Sequence, residues 1–296
     1  MCRLAAFPKG TPKDYAIEVF KNFESFNKDG VGVAYQKAGA FVINKAATSF
    51  SEAMAKGDVG LFDHMPYNDS WTIGHVRLKT HGDKAYENTH PFNVGRYAFA
   101  HNGMWGDYEK FRELLKDAVK YQGQTDSEIA GHILSMVGPT RFEKIVTMGG
   151  VYMGLHKSGE VHIVKTYSGE LHMHCTEDED GNADMKKPVV IASEFPREFK
   201  LVKEISSGIT ILNPDGTIKS STSTFSNRPD RNWAMENYGW LEGYGNRRGQ
   251  NSCEFDKDRS KVERKVVRKA VELKTDVNLW NYDPDQHIED FIGGEL

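Results

Sequence analysis

The sequence predicts an α+β fold, in which strands and helices form separate layers instead of alternating along the chain. Short apolar runs bounded by Gly, Asn and Pro fill much of the chain before residue 104 and again after residue 149. Two amphipathic helical patterns lie side by side between them, at residues 107–120 and 126–137. No internal repeat occurs, and this order disfavours the regular βαβ alternation of a dinucleotide-binding fold.

The N-terminal part predicts a strand, a helix and a hairpin. CRLAAF at residues 2–7 is a short apolar run typical of a buried strand, and residues 14–26 form an amphipathic helical pattern. The next two β-rich runs, VGVAYQK and AFVI, are separated by Gly39, which predicts a hairpin. A short polar helix is expected around Ser51 to Lys56.

The middle of the chain supplies two strands followed by two helices. The strands WTIGHVRLKT and YAFAHNG bracket residues 81–95, a segment rich in Gly, Asn, His and Pro. Segments of this kind, at the ends of strands, commonly carry chemistry. The break between the two helices is GQT at residues 123–125, and Asp126 stands before the first turn of the second helix.

The rest of the core is predicted to consist of strands. VYMGLH, VHIVKTY, GELHMHC and KPVVIAS are short β-rich runs, and GITILNPDGTIKS carries an Asp-Gly hairpin signal. One domain is therefore expected over residues 2–219. The C-terminal extension, residues 220–296, is first loop-like and rich in Ser, Asn, Gly and aromatics, and then becomes a charged helical run.

The composition is that of a globular protein and excludes several function classes. Hydrophobic residues make up 39% and charged residues 27%, and the formal net charge is -4, so a nucleic-acid partner is not expected. No apolar run is long enough for a membrane span, and the stretch before Pro8 is too short for a secretory signal. The three cysteines show no paired spacing, which favours a reducing compartment, and we expect a cytoplasmic protein.

Cys2 directly follows the initiator methionine and becomes the N-terminal residue once Met1 is removed, which a small second side chain permits. Such a residue offers a thiol and a free α-amino group, whose pKa of about 7.7–8.0 lets it act as a general base near neutral pH. By itself a Met-Cys start is weak evidence, because a buried cysteine is also a small hydrophobic core residue. The motifs elsewhere in the chain change this judgement.

Four short motifs follow Cys2: HVRLKTHG at residues 75–82, NTHPF at 88–92, HNG at 101–103 and TDSE at 125–128. In this order they resemble the class II glutamine amidotransferases, a branch of the N-terminal nucleophile hydrolases, over residues 2–219 in outline. The resemblance implies a four-layer αββα sandwich, with two antiparallel sheets between two helical layers. It also implies an enzyme without cofactor or metal.

The resemblance assigns the chemistry to three residues. Cys2 corresponds to a nucleophile that forms a γ-glutamyl thioester, with its α-amino group relaying the proton to departing ammonia before water hydrolyses the thioester. Asn102, through its side-chain amide, and Gly103, through its backbone N–H, match the oxyanion hole. Such donors stabilise the negative charge of the tetrahedral intermediate.

The resemblance also assigns residues to the substrate, glutamine. Arg77 stands where the family binds the α-carboxylate, a role that suits a guanidinium because it stays charged and can bind bidentately. Asp126 stands where the α-ammonium is bound, and Thr80 and His81 correspond to residues that line the glutamine site. Taken singly, each residue has an ordinary structural explanation, and it is the ordered set that favours function.

Other motifs are interpreted structurally. His172 and His174 alternate on one face of a strand with no clear further ligands, so we expect an exposed strand face and no metal. His90 and His101 are expected to shape loops or support the site without transferring protons. The acidic run at residues 176–187 is predicted to be a solvated loop.

The sequence leaves the overall function open in two respects. Residues 220–296 are too few for an ammonia-accepting enzyme domain, so either a separate synthetase subunit receives ammonia, or the chain is a stand-alone amidohydrolase acting on a γ-glutamyl or other small amide. A third alternative is a non-catalytic binding protein that contacts its partner through the aromatic segment 225–244. An intact Met1 would favour that alternative, because it blocks the amine of Cys2.

Overall fold

The computed structural model describes residues 2–57, 60–65, 67–106, 108–146, 149–175 and 189–222. These residues form two antiparallel sheets that face each other, with helices on both outer faces. This arrangement confirms the expected α+β four-layer sandwich. In the same part of the chain, no helix is both long and apolar enough to cross a membrane. The predicted acidic loop and the C-terminal extension beyond Thr222 lie outside the described residues.

Thirteen strands and four helices make up the described fold. The strands are β1 (Arg3–Phe7), β2 (Gly30–Lys37), β3 (Ala40–Ala46), β4 (Thr72–Arg77), β5 (Phe92–Val94), β6 (Tyr97–Gly103), β7 (Gly150–His156), β8 (Val161–Lys165), β9 (His172–His174), β10 (Val190–Ala192), β11 (Val202–Glu204), β12 (Gly208–Leu212) and β13 (Ile218–Thr222). The helices are α1 (Lys13–Glu24), α2 (Phe50–Lys56), α3 (Tyr108–Leu115) and α4 (Asp126–Ile145), and a 3₁₀ turn covers Tyr86–Asn88.

The first sheet has the strand order β11-β9-β10-β1-β4-β2-β3, and the second has the order β13-β12-β8-β7-β6-β5. Strand β1 is internal to the first sheet and is buried on both faces. Leu4 and Ala6 pack in the core between the sheets, whereas Ala5 and Phe7 pack against the helices on the other side. A strand that is covered on both faces has no polar side to show, which explains why CRLAAF is a continuous apolar run.

The helices cover the two outer faces through their apolar sides. Helix α1 buries Val19, Phe20 and Phe23 against the first sheet. Helix α4 packs on the second sheet and is broken at Gly138, whose φ is 71°, and Pro139 follows at once. Proline cannot donate a backbone hydrogen bond, so the regular helix stops at this point.

The structure corrects several expectations about the strands. Strands β5 and β11 were not predicted, because runs of only three residues carry too little periodicity to be recognised. Strand β13 ends at Thr222, beyond the predicted domain boundary at residue 219. The expected exposed face at His172 and His174 is wrong: both side chains are half-buried, because the His174 ring packs against Tyr15 and Phe199 and His172 Nδ1 bonds to the Ser193 carbonyl oxygen.

Candidate active site

The residues that the motifs single out lie where strands from both sheets end. Cys2 precedes β1, and Arg77 is the last residue of β4 beside it in the first sheet. Asn102 and Gly103 end β6 in the second sheet, and Asp126 is the first residue of α4. Arg77 and Asp126 are both close enough to the Cys2 thiol to shift its pKa. The fold thus brings these distant parts of the sequence together in one candidate site.

The Cys2 thiol is held by the backbone of Leu78. Its Sγ donates to the Leu78 carbonyl oxygen at 3.3 Å, and the Leu78 N–H donates back to Sγ at 3.4 Å. Burial raises the pKa of Cys2 and outweighs the Leu78 contact and the Arg77 charge, which lower it, while Asp126 raises it further. The resting group is therefore a thiol, which needs a base before it can act as a nucleophile.

Arg77 is 2% exposed, and its guanidinium is tied to the loop that follows β4. Nη1 donates to the Asp83 carbonyl oxygen at 2.9 Å, and Nη2 donates to the His81 carbonyl oxygen at 2.6 Å. Burial lowers the pKa of Arg77, but a guanidinium stays charged at any physiological pH. Its N–H groups form a planar fork that can bind a carboxylate bidentately.

Asn102 and Gly103 pair with Val151 and Gly150 across the β6–β7 ladder. Asn102 is 4% exposed, and its Oδ1 has no hydrogen-bond partner within the described residues. At Gly103 a Cβ atom would lie 2.6 Å from the Gly149 carbonyl oxygen, which is closer than any side chain tolerates. Close backbone packing therefore requires glycine here, next to a side-chain amide at the edge of the site.

Asp126 holds the loop that follows the Asn102–Gly103 pair. Its Oδ2 accepts from the Trp105 N–H at 2.8 Å, and its Oδ1 accepts from the Ser127 N–H at 2.9 Å. The N-cap of α4 is Thr125, so Asp126 belongs to the first turn of the helix instead of preceding it, as the sequence had indicated. A carboxylate at this end of a helix is stabilised by the helix dipole.

Thr80 and His81 lie on the loop after β4, but they differ in what they contact. His81 reaches Arg77 through its carbonyl oxygen, and its ring meets the Tyr108 ring edge-on with 5.6 Å between centroids. The Thr80 side chain is exposed. The His81 contact to Arg77 is thus made by its backbone, while its side chain packs toward α3.

Three buried histidines lie beside the site: His75 on β4, His90 before β5 and His101 on β6. Burial lowers the pKa of all three, that of His75 to about 3 and that of His90 well below its ordinary value. The rings of His75 and His90 are in contact, with 4.0 Å between centroids. At neutral pH they are uncharged polar groups, and the supporting role expected for His90 and His101 stays a prediction.

The sequence analysis overlooked Asn88 and Glu128, although both lie within the motifs. Glu128 is fully buried and accepts from the Gln122 and Gly123 N–H groups at 2.6 and 2.8 Å. Asn88 is 1% exposed and bonds two loops that flank the site. Their positions in the motifs could have indicated them, because Asn88 begins NTHPF and Glu128 ends TDSE.

A second polar cluster lies at the other end of β6 and β7, and we call it the hairpin-end cluster: His156, Ser158, Glu160 and His162. Ligand atoms of its two histidines and Glu160 lie within 4.8 Å of one another, as in a metal site. However, the two imidazole rings are stacked only 10° from parallel, so their lone pairs do not converge on one point. Their Nδ1 atoms lie 2.9 Å from Ser158 Oγ and 2.7 Å from Tyr97 Oη, which describes a hydrogen-bonded cluster.

Comparison with known proteins identifies the class of protein that this fold and site define. The family model described as glutamine amidotransferases class-II matches residues 1–155 of the 296 in the chain. The chain belongs to this family.

Relatives of known sequence agree with this assignment. The chain is 44% identical over 145 residues to a probable glutamine–fructose-6-phosphate aminotransferase (isomerizing) of Acanthamoeba polyphaga mimivirus. The matched region covers 46% of this chain and 23% of that protein. The chain is 34% identical over 105 residues to the corresponding aminotransferase of Haemophilus influenzae, covering 34% of this chain and 17% of that one. The chain therefore matches less than a quarter of the length of these relatives.

Two solved structures share the fold. One is the glutamine phosphoribosylpyrophosphate amidotransferase of B. subtilis, with a TM-score of 0.57 and 17% identity over 77% of this chain and 50% of that chain. The other is described as the allosteric regulatory enzyme of purine biosynthesis, with a TM-score of 0.58 and 17% identity over 78% and 50%. These two likenesses support the four-layer α+β fold.

Proposed function

We propose that this chain hydrolyses the side-chain amide of glutamine through Cys2, exposed as the N-terminal residue after removal of Met1, and supplies the ammonia to an acceptor enzyme. The observation that carries the proposal is the convergence of Cys2, Arg77 and Asp126 at one end of the two sheets, next to Asn102 and Gly103. Membership of the class-II glutamine amidotransferases supports the substrate.

In the proposed mechanism the α-amine of Cys2 takes the thiol proton, and Sγ attacks the δ-carbon of glutamine. The resulting oxyanion is bound by the Asn102 side-chain amide and the Gly103 N–H. The C–N bond then breaks, ammonia leaves with the proton from the amine, and a γ-glutamyl thioester remains. Water adds to this thioester and the C–S bond breaks. This step releases glutamate and regenerates the Cys2 thiol.

The raised pKa of Cys2 supports a base of this kind. A buried thiol is mostly protonated at neutral pH, so it gains reactivity from a base that is already in place. The α-amine belongs to the same residue and has an ordinary pKa of about 7.7–8.0, so a useful fraction of it is neutral and able to accept a proton near pH 7. One residue then supplies both the nucleophile and the base.

The substrate is recognised in this proposal by its two charged ends. Arg77 binds the α-carboxylate and Asp126 binds the α-ammonium, while the side-chain amide points to Cys2. Both protein groups are buried, which strengthens their charge-assisted hydrogen bonds relative to those at a surface. A peptide-bound glutamine lacks at least one of the two charges and is therefore a poor substrate.

In this proposal an acceptor enzyme receives the ammonia. The relatives of known sequence are named as glutamine–fructose-6-phosphate aminotransferases, which supports transfer of the glutamine amide nitrogen to an acceptor. A synthetase subunit that docks on this chain would receive ammonia before it is lost to solvent.

The test uses the recombinant chain, with Cys2→Ala as the variant and Cys175→Ala as the control, because Cys175 is the other free cysteine among the described residues and directly follows β9. Intact mass reports removal of Met1, and a glutamine-like diazoketone and glutamate release report the nucleophile and the substrate. We expect loss of Met1 in every protein. Wild type and Cys175→Ala should form one adduct on Cys2 and turn over free glutamine but not peptide-bound glutamine, and Cys2→Ala should do neither. Retained Met1, or turnover that survives Cys2→Ala, would contradict the proposal.

A further inference from the structure

Asn88 is a buried side chain that joins the two loops carrying the charged residues of the site. It ends the 3₁₀ turn Tyr86–Asn88 and is 1% exposed. On one side it faces the loop after β4, and on the other it faces the loop before α4. A buried amide is costly to leave unpaired, and here both ends of the amide have a partner.

On the first side Asn88 shares an acceptor with Arg77. Asn88 Nδ2 donates to the Asp83 carbonyl oxygen at 3.1 Å, and Arg77 Nη1 donates to the same oxygen at 2.9 Å. A carbonyl oxygen has two lone pairs and can accept both bonds. The position of the Arg77 guanidinium is therefore linked through one oxygen atom to Asn88.

On the second side Asn88 holds the segment that leads into Asp126. Its Oδ1 accepts from the Gln124 N–H at 2.7 Å, while Glu128 binds the two preceding N–H groups, those of Gln122 and Gly123. Three successive backbone donors are thus held by two buried side chains. Asp126 follows Gln124 by two positions, so its place depends on this segment.

The two loops also approach Asn88 too closely for other side chains. A Cβ atom at Gly82, whose φ is +68°, would lie 2.9 Å from Asn88 Nδ2, and one at Gly123 would lie 2.5 Å from Asn88 Oδ1. Both separations are shorter than real Cβ contacts allow. The Asn88 amide is therefore closely packed on both sides, and it cannot shift far unless one of the loops moves.

We propose that Asn88 is a positioning residue that sets the separation between Arg77 and Asp126, and that it makes recognition of a free amino acid depend on both charged ends at once. The inference rests on the proposed function. The α-carboxylate and α-ammonium of an amino acid are attached to the same carbon, so the two protein groups must match one short spacing. A small change in that spacing costs much of the benefit of a correctly oriented substrate.

The test compares two reagents that reach Cys2 in different ways. A glutamine-like diazoketone carries both charged ends and needs both Arg77 and Asp126, whereas iodoacetamide carries neither. Asn88→Asp keeps the shape and the acceptor for Gln124 but turns a donor into an oxygen facing the Asp83 carbonyl. Asn88→Ala removes both bonds, and it keeps the test informative if a buried carboxylate prevents folding.

Asn68→Asp is the matched control. Asn68 is also 1% exposed and donates to a backbone carbonyl, that of Ser70, at 2.7 Å, but it lies before β4, whereas Arg77 ends that strand. The rate of labelling at Cys2 is measured for each reagent by peptide mass spectrometry. We expect both Asn88 variants to react about 10–100-fold more slowly with the diazoketone, with the iodoacetamide rate close to that of wild type and with Asn68→Asp unchanged for both reagents.

Equal slowing with both reagents, or no slowing with the diazoketone, would overturn the positioning role. A loss of diazoketone reactivity in Asn68→Asp as large as in Asn88→Asp would overturn it as well, because any buried amide would then have the same effect. A wild-type protein that reacts with iodoacetamide but not with the diazoketone would instead contradict the proposed function itself.

Discussion

The two ends of strands β6 and β7 both carry polar side chains, but these differ in burial and in how they are paired. At the end formed by Tyr97 and His156, the hairpin-end cluster is internally bonded, with His162 between Tyr97 Oη and Glu160 Oε2. At the end formed by Gly103 and Gly150, the Asn102 Oδ1 and both ring nitrogens of His90 have no hydrogen-bond partner among the described residues. We call these the hairpin end and the site end.

The difference shows what each end does. A buried polar atom without a partner costs about 1–3 kcal/mol, and such atoms also occur away from the site, for example Thr48 Oγ1 and Asn68 Oδ1. The hairpin end contains polar groups that satisfy one another, which contributes to stability. The site end keeps buried polar atoms that lack a partner among the described residues, which agrees with the proposal that a ligand binds there.

The largest expected effect comes from removing the oxyanion donor at the site end. Asn102→Ala should lower kcat for glutamine on the order of 10²–10³-fold with little change in KM, because the donor acts mainly when negative charge develops. The control at the hairpin end is Glu160→Gln, which should leave kcat unchanged. Glutamate release measured at several glutamine concentrations gives both constants. Similar losses in the two variants would remove the functional distinction between the ends.

A smaller effect is expected for Arg77→Lys. A lysine keeps the charge but loses the planar fork, so kcat/KM for glutamine should fall about 10–100-fold, mainly through KM, as expected for one or two charge-assisted hydrogen bonds. Arg96→Lys at the hairpin end is the matched control, because Arg96 also donates to a backbone carbonyl, that of Ser135, at 2.8 Å. Steady-state kinetics would contradict this expectation if Arg77→Lys left KM unchanged.

The smallest expected effect is on how the stability of the protein depends on pH. It compares a buried histidine at the site end with a buried histidine elsewhere. The pKa of His75 at the site end is lowered to about 3, and the pKa of His64, stacked on Tyr35 outside both ends, is lowered to about 4. The ordinary value is about 6.5, so as the pH falls through that value the unfolded chain takes up protons that the folded protein does not. Stability is therefore lost as the pH falls, by about 1.4 kcal/mol for each such histidine between about pH 7.5 and 5.5.

Urea unfolding of His75→Gln and His64→Gln at the two pH values tests this expectation. Each variant should lose less stability on acidification than wild type, by about 1.4 kcal/mol. Equal effects in the two variants would mean that burial alone causes the pH dependence. An unchanged pH dependence in both would show that these histidines are not held neutral in the folded protein.

Much of the fold could be predicted because its main elements have clear local patterns. CRLAAF, the hairpin around Gly39 and the helix after Asp126 were recognised from apolar periodicity and turn residues. Strands β5 and β11 were missed because three residues do not establish a period. His172 and His174 were placed on an exposed face because alternation along a strand cannot reveal that other strands and Tyr15 lie against it.

The sequence analysis found the site residues to which it could assign a direct role in binding or catalysis. It missed the groups that hold other parts of the site in place. Arg77 and Asp126 were identified from their motifs, and the roles assigned to them remain proposals. Asn88 and the Leu78 backbone were overlooked because each acts by holding another group in place, a role that is visible only once its partners are known. The contacts that hold these groups join parts of the chain that are far apart in sequence.

The sequence by itself determined the layered α+β class and the ordered motifs, because both depend on residue type and short-range spacing. Only the tertiary structure decided which side chains are buried, which polar atoms are paired and that Cys2 is held by Leu78. The physical reason is that the shift of a pKa and the cost of an unpaired polar atom depend on what surrounds a group in space. Those surroundings come from strands of two sheets and from α4, which meet only in the folded chain.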